Sequence, residues 1–442
     1  MPAERGLILA APASGSGKTT LTLGLLRAYR RRGLDVAGAK VGPDYIDPGF
    51  HRAASGRDSV NLDPWAMRRD FLAGTIAGIG ADLVLCEGVM GLFDGAGAGG
   101  DIGSTADLAA VTGWPVVLIV DAKGQSASVA ALLGGFARHR ADVAPVGVIF
   151  NNVAGTRHAA MLAQATRKAL PDLAILGAVA REPGLALPSR HLGLVLAEEH
   201  PDLETFLERA ADAMAAAIDL EGLADLACPP HCAEAPRAPP IPPLGHRMAI
   251  ARDRAFAFAY PHLLESWRRA GAAILPFSPL ADEAPDPAAD AVFLPGGYPE
   301  LHAGALAAAT RFKAGLHRAS ARAVPIYGEC GGYMVLGERL IDRDGVGHEM
   351  AGLLPVATSI ANPRRRLGYR RATALAGRWE GLSFRGHEFH FAEETGPVAG
   401  RRLFRYSDAD GNSQRVGGAV RGSVSGSFLH VIDCLAAAPP IG

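Results

Sequence analysis

Short apolar runs alternate with longer helix-compatible ones along this chain, and that pattern predicts an α/β protein of two doubly wound domains. Three observations carry the prediction. β-branched, apolar stretches recur through the first half with crossover-length segments between them. Near residue 225 the texture changes, and Cys228–Leu244 holds seven prolines, the composition of an extended tether. Past that tether the alternation resumes, and 442 residues are more than one core usually organises.

In chain order, Leu7–Ala11, Val36–Lys40, Leu83–Cys86, Val116–Val120 and Val146–Phe150 read as strands of a parallel sheet. They assign residues 1–226 to a first domain, 227–245 to the linker and 246–442 to a second domain. In the second domain, Arg247–Ala251 predicts a strand and Phe256–Ala270 a helix. Ala291–Leu294, Val324–Tyr327 and Phe384–Phe391 continue the strand series. No repeat of 20–50 residues is visible.

Bulk properties narrow the function classes. Hydrophobic residues at 49% and charged ones at 20% describe an ordinary globular chain. A net charge of −1 provides no field for nucleic acid or an anionic membrane, so neither is an expected partner. No apolar run approaches the ~18 residues of a spanning helix. Gly6–Ala11 runs straight into a polar glycine loop, which reads as a buried strand and not a signal peptide. Five cysteines, an odd number scattered over a long chain, predict reduced thiols and a cytoplasmic location. Cys228-Pro-Pro-His-Cys232 offers too few ligands in too extensible a segment for a metal site and reads as linker.

The first candidate site is a phosphate loop. Ser14-Gly15-Ser16-Gly17-Lys18-Thr19-Thr20 follows a strand and opens a helix, the context in which backbone N–H groups and a helix dipole cradle phosphates. Lys18 is placed to bridge the β- and γ-phosphates of ATP, and the Thr19 hydroxyl to bind Mg²⁺. Pro12 departs from the usual pattern, which has its first glycine there. Glu87 ends a buried strand, as a second Mg²⁺ ligand or a water-orienting carboxylate would. Lys40 stands at another strand end, with Asp44 and Asp47 in the loop after it, and strand ends are where open α/β sheets bind ligands. Each of these two aspartates neighbours a proline, so turn chemistry is their competing reading. Asn151 and Asn152 follow a further strand. Asn152 is the candidate to read a base edge, with a turn cap as its alternative.

The second candidate site is Gly328-Glu-Cys-Gly-Gly332, a cysteine counterpart of the nucleophile elbow between strand and helix. The helix start is expected to lower the Cys330 thiol pKa, and the Gly331 N–H to face an oxyanion. Gly297, in Phe293-Leu-Pro-Gly-Gly-Tyr-Pro-Glu300, is the candidate second donor. His430, about a hundred residues downstream, is the candidate base, with His387 and His390 as alternatives.

Six segments in order resemble the cobyrinic acid a,c-diamide synthase family over nearly the whole chain. They are the Ser14–Thr20 loop, Lys40–His51, Cys86–Gly95, Pro295–Glu300, Tyr327–Tyr333 and Gly426–His430. The resemblance implies a dethiobiotin-synthetase-like P-loop domain followed by a flavodoxin-like class I glutamine amidotransferase domain. It implies Cys330 and His430 as glutamine-hydrolysing residues, and an acyl phosphate formed from ATP with Mg²⁺ held by Thr19, Asp47 and Glu87. Ammonia would travel a sheltered path to that intermediate. By the same resemblance the substrate is a corrin polyacid, cobyrinic or hydrogenobyrinic acid, amidated on its a and c acetates in cobalamin biosynthesis. Lys40, Asp44, Tyr45 and Asp94 then become substrate contacts, and a homodimer is compatible with the family. Arg364-Arg-Arg366 reads either as a contact for other carboxylates or as a solvated loop.

One departure bears on mechanism. Class I amidotransferases usually place a glutamate two residues after the histidine, where this chain has Ile432. Asp433 or a backbone carbonyl is left as the group to orient His430. Two rival readings are a partition-type P-loop ATPase and another tetrapyrrole amidase, for cobyric acid or a nickel cofactor. The first typically carries a signature lysine where Ala13 stands and has no use for a cysteine domain.

Overall fold

The computed structural model describes residues 5–185, 187–190, 193–231 and 241–435. Nearly all of the chain before the proline-rich stretch forms one compact unit, and the chain after it forms a second.

The first unit is built on seven strands: β1 (Arg5–Ala10), β2 (Val36–Val41), β3 (Val60–Leu62), β4 (Leu83–Glu87), β5 (Val116–Asp121), β6 (Pro145–Val153) and β7 (Ala174–Ala180). They lie in the order β3-β2-β4-β1-β5-β6-β7 and every pair is parallel. Crossover helices cover both faces, so the central strands are apolar throughout; Leu7, Ile8 and Leu9 are wholly buried, as are Leu83, Val84 and Leu85. The register sets Glu87 beside Lys40 on one neighbour and beside Leu9 on the other. The carboxyl ends of β1, β2 and β4 therefore bring a loop, a lysine and a glutamate to one edge.

Two helices frame that edge. Helix α1 (Lys18–Arg31) starts directly after Gly17 and closes on Arg30 and Arg31, cations that suit the negative end of its dipole. Helix α2 (Asp47–Ser55) has Pro48 in its first turn, where a missing N–H costs nothing, and stops at the left-handed Gly56.

In the second unit the strands run in the order Ala273–Phe277, Arg247–Ala251, Ala291–Leu294, Ile326–Glu329, Val424–Ser427 and Ala419–Arg421. All neighbours are parallel except the last pair. One core cluster packs around this sheet, with Phe256, Phe312, Tyr333 and Leu336 buried in it.

Three sequence expectations change. The 384–391 segment does not continue the parallel series. Ser383–His390 lies in an antiparallel five-stranded sheet, paired with Arg366–Ala374 and with His430–Cys434. The helix expected from residue 256 begins only at Pro261, because Phe258 is still extended and bridges Gly296. The strands β3, β7 and Ala273–Phe277 are additional; each is short or only half-buried, which hides the apolar signal. Cys232 and the prolines between 232 and 240 lie outside the described residues.

Candidate active sites

In the first unit the loop between β1 and α1 turns on two left-handed glycines, Gly15 at φ 80° and Gly17 at φ 90°. A Cβ on Gly17 would sit 2.2 Å from Asn151 Nδ2, so space as well as φ requires glycine there. Asn151 donates to the Ser16 carbonyl at 3.0 Å and pins the loop, while Asn152 donates to Asp121 Oδ1 at 3.0 Å. Of the two asparagines, Asn151 is the one against the loop. Lys18 folds over it and donates to the Met90 carbonyl at 2.6 Å. Burial, helped by the charge of Lys40, brings the Lys18 ammonium down to about 8.

Glu87 is the hub of this edge. Its Oε1 accepts from the Thr19 hydroxyl at 2.6 Å and from Lys40 Nζ at 2.8 Å, and its Oε2 meets His51 Nε2 at 2.8 Å. The far ring nitrogen of His51 reaches Ser59 Oγ at 3.1 Å, which orients the imidazole. Lys40 also pairs with Asp47 at 2.6 Å. Burial alone would raise the Glu87 carboxyl; the Lys40 ammonium and His51 outweigh it and hold Glu87 well below the usual carboxylate range. His51 went unread in the sequence, although it ends the same Lys40–His51 segment, four residues after Asp47 on one helix.

The remaining acids do local work. Asp44 Oδ1 accepts from the backbone of Ile46 and Asp47, and Asp94 Oδ2 accepts from the Gly91 N–H. Both are therefore turn-forming at the rim of this edge. A hydroxyl and two carboxylates beside the phosphate loop make an all-oxygen donor set, the kind a hard dication takes.

In the second unit Cys330 sits at φ 46°, ψ −104°, between the strand Ile326–Glu329 and the helix Gly331–Leu336. A non-glycine residue at positive φ is strained, and here the strain turns the thiol out of the strand direction. Its N–H donates to the Ser427 carbonyl at 2.8 Å, which ties the turn to the next strand. A Cβ on Gly331 would lie 3.1 Å from the Gly297 nitrogen, so the two expected oxyanion donors are neighbours. A Cβ on Gly296 would meet His430 Cε1 at 2.3 Å, His430 Nε2 at 3.1 Å and Cys330 Cβ at 3.2 Å. Gly296 is thus the floor on which thiol and imidazole converge.

The expected lowering of the thiol pKa is overturned. Burial pushes the Cys330 thiol up, with Glu300 adding to it, and the Gly331 N–H recovers only part. A six-residue helix has too small a dipole to offset full desolvation. Burial likewise drives His430 well below the usual imidazole range, helped by His387 and His390. The pair rests as neutral thiol and neutral imidazole, the state in which the ring can accept a proton. Asp433 is engaged elsewhere: the Arg68 N–H donates to its Oδ2 at 2.6 Å, the Arg68 guanidinium pairs with the same oxygen at 3.1 Å, and its Oδ1 accepts from the Cys434 N–H at 2.8 Å.

Next to this turn lies a cavity of about 330 Å³, lined by Arg364, Arg366, Arg415, Glu388, Glu393 and Phe428, among others. Phe428 stacks on His390 and meets Tyr333 edge-on. Glu388 reaches Cys330 electrostatically and is held by Arg370 at 2.7 Å and by Arg415. Arg366 is paired with Glu393 at 3.2 Å.

Comparison with known proteins agrees with both halves. Residues 7–195 match the CobQ/CobB/MinD/ParA nucleotide-binding domain, and residues 247–434 match the CobB/CobQ-like glutamine amidotransferase domain. Hydrogenobyrinate a,c-diamide synthase of Brucella abortus is 54% identical over 435 residues, covering 97% of this chain and 98% of that protein. The chain belongs to the a,c-diamide synthase family. Members from Rhodobacter capsulatus (55% identical; 97% and 98% covered) and Rhizobium meliloti (52%; 97% and 99%) carry the same name. Membership makes the chain a glutamine-dependent, amide-forming ligase with a nucleotide-binding half, and sets aside the partition-ATPase reading. Among the described residues no helix is long and apolar enough to cross a membrane.

Proposed function

We propose that this chain amidates the a and c acetate side chains of hydrogenobyrinic acid, taking nitrogen from glutamine and driving force from ATP. The observation that carries the proposal is that one chain holds both a thiol–imidazole pair with two neighbouring amides and a phosphate loop tied through Thr19 to Glu87. The names of the relatives favour hydrogenobyrinic over cobyrinic acid.

Cys330 attacks the glutamine carboxamide while neutral His430 takes the thiol proton, and the oxyanion turns toward the Gly297 and Gly331 N–H groups. The proton passes on to the leaving nitrogen, ammonia departs, and water clears the thioester. The cavity suits the glutamine backbone because it carries both charge signs, as an α-amino acid does. Arg364 meets the α-carboxylate, and the glutamates of the cavity meet the α-ammonium.

In the nucleotide half, Lys18 stabilises charge on the transferring phosphate of ATP as a substrate carboxylate attacks it. The resulting acyl phosphate has the leaving group that a carboxylate lacks, and ammonia displaces phosphate to give the amide. Thr19, Glu87 and Asp47 are the residues that would hold Mg²⁺, in the order of their nearness to the loop. Bound there, it supplies neutralising charge to the phosphate oxygens. Lys40, Asp44, Tyr45 and Asp94 lie along the edge where the reacting acetate is expected.

The test is direct. With ATP, Mg²⁺ and glutamine, mass spectrometry should show two acid-to-amide exchanges on hydrogenobyrinic acid. No exchange on it, or equal turnover of cobyrinic acid, would overturn the substrate assignment. Cys330→Ser should lose glutamine-driven amidation and keep the reaction with added ammonia.

A further inference from the structure

Ile432 stands where a class I amidotransferase keeps the glutamate that orients its histidine, and the Asp433 carboxylate is taken up by Arg68. A different carboxylate lies against it. Glu329 Oε2 is 3.8 Å from His430 Nδ1, and Glu329 Oε1 accepts from the N–H of Val431, the next residue, at 3.1 Å. The carboxylate therefore straddles the His430–Val431 step, anchored by one oxygen and facing the ring with the other.

We propose that Glu329 is the positioning residue of His430, so that the strand Ile326–Glu329 delivers the nucleophile and the carboxylate of the triad at consecutive positions. This rests on the glutaminase reading above. Ring orientation supports it. The Nε2 edge faces Gly296 and Cys330, and the Nδ1 edge faces Glu329. An acceptor at Nδ1 keeps the proton on that nitrogen and leaves the Nε2 lone pair for the thiol. Glu329 is 3% exposed and His430 is wholly buried, which limits water's ability to take that role. At 3.8 Å the contact exceeds a hydrogen bond. Catalytic contacts of free enzymes commonly start long, and this one should close when the ring becomes imidazolium. Proton balance is simple: the thiol proton moves to Nε2, Glu329 gains no proton, and its negative charge faces the new positive one.

The groups around this pair come from several elements. Cys330 and Tyr327 share the strand and turn with Glu329. His387, Glu388 and His390 come from Ser383–His390, Tyr406 from Phe404–Ser407, and Glu300 from the turn after Ala291–Leu294. Burial pushes Glu329 up to about 8, with the Val431 N–H pulling it back. The carboxylate is the active form, so glutaminase kcat/KM should climb as pH rises through about 8.

Glu329→Gln keeps the volume and an acceptor for Val431 and removes the charge. It should lower glutaminase kcat about tenfold or more, a modest share of a general-base effect. KM for glutamine and ammonia-supported amidation should stay unchanged, and the rise near pH 8 should disappear. Glu329→Asp keeps the ionisation and should keep the rise at reduced rate. A Glu329→Gln enzyme with natural glutaminase rate, or with the rise intact, overturns the proposal. If Gln at 329 unfolds the protein, as loss of ammonia-supported activity would report, Glu329→Asp decides: a rise retained supports the proposal and a flat profile overturns it. Failure of the glutaminase reading itself looks different, since natural chain and Cys330→Ser would then release glutamate alike.

Discussion

Cys330 and Glu87 show opposite uses of burial. At Cys330 the Gly331 N–H offsets only part of the desolvation, so the thiol stays protonated until substrate and His430 draw the proton off. At Glu87 a lysine and a histidine overcompensate, and the carboxylate stays charged beside the phosphate loop. Glu87→Gln leaves Lys40 and His51 facing an amide, and breaking such a buried network costs about 3 kcal/mol. Calorimetry should show a lower Tm, and amidation should fail with either nitrogen source while glutaminase persists. Arg364→Ala removes one charge-assisted contact, which predicts a KM for glutamine raised about tenfold or more at unchanged ammonia-supported rate. Glu329 also makes a stability prediction. Its folded pKa is raised above the unfolded carboxyl value, so its contribution is fully present at pH below ~4.3 and is lost as pH rises through about 8. Tm measured across that window should fall in the natural chain and fall less in Glu329→Gln.

At the scale of elements, both sites are strand-to-helix turns whose glycines are dictated by neighbours as much as by φ. A Cβ on Gly332 would lie 2.0 Å from the Leu294 carbonyl oxygen, and one on Gly296 2.3 Å from the His430 ring. Gly332→Ala should destabilise by about 2 kcal/mol, an overpacking cost, with a matching fall in Tm. Gly296→Ala should instead displace His430 and lower glutaminase kcat, with the ammonia-supported rate retained. These turns were legible in the sequence because glycine spacing, a preceding apolar strand and a following helix-compatible run all coincide within a few residues. The phosphate loop and Cys330 turn were found for that reason. His51 and Glu329 were not, because their importance comes from contacts 36 and 102 residues away in the chain, to Glu87 and Val431. Nor could spacing reveal the antiparallel sheet around Ser383–His390. A strand buried on five of eight positions, three of them consecutive, alternates too weakly to separate it from a parallel one.

For the whole molecule, two chemistries are joined only by the ammonia that one releases and the other consumes. At neutral pH most free ammonia is ammonium, which is no nucleophile, so coupling within the chain has a purpose that the residues of either half alone would not reveal. The thermodynamic link is equally one-directional. Glutamine hydrolysis is favourable by itself, while amide formation from a carboxylate needs the phosphate of ATP. Separate substitutions should therefore divide the reaction cleanly. Lys18→Ala, which takes the cation from the phosphate loop, should abolish amidation with glutamine and with ammonia while glutamate release continues. Cys330→Ser should abolish glutamate release while ATP-dependent amidation by ammonia continues, at a rate that rises with pH as more nitrogen is unprotonated. Measuring glutamate, ADP and amide products side by side for both variants checks each arm. Loss of ATP-dependent ammonia use in Cys330→Ser, with the fold intact, would show that the thiol does more than supply nitrogen.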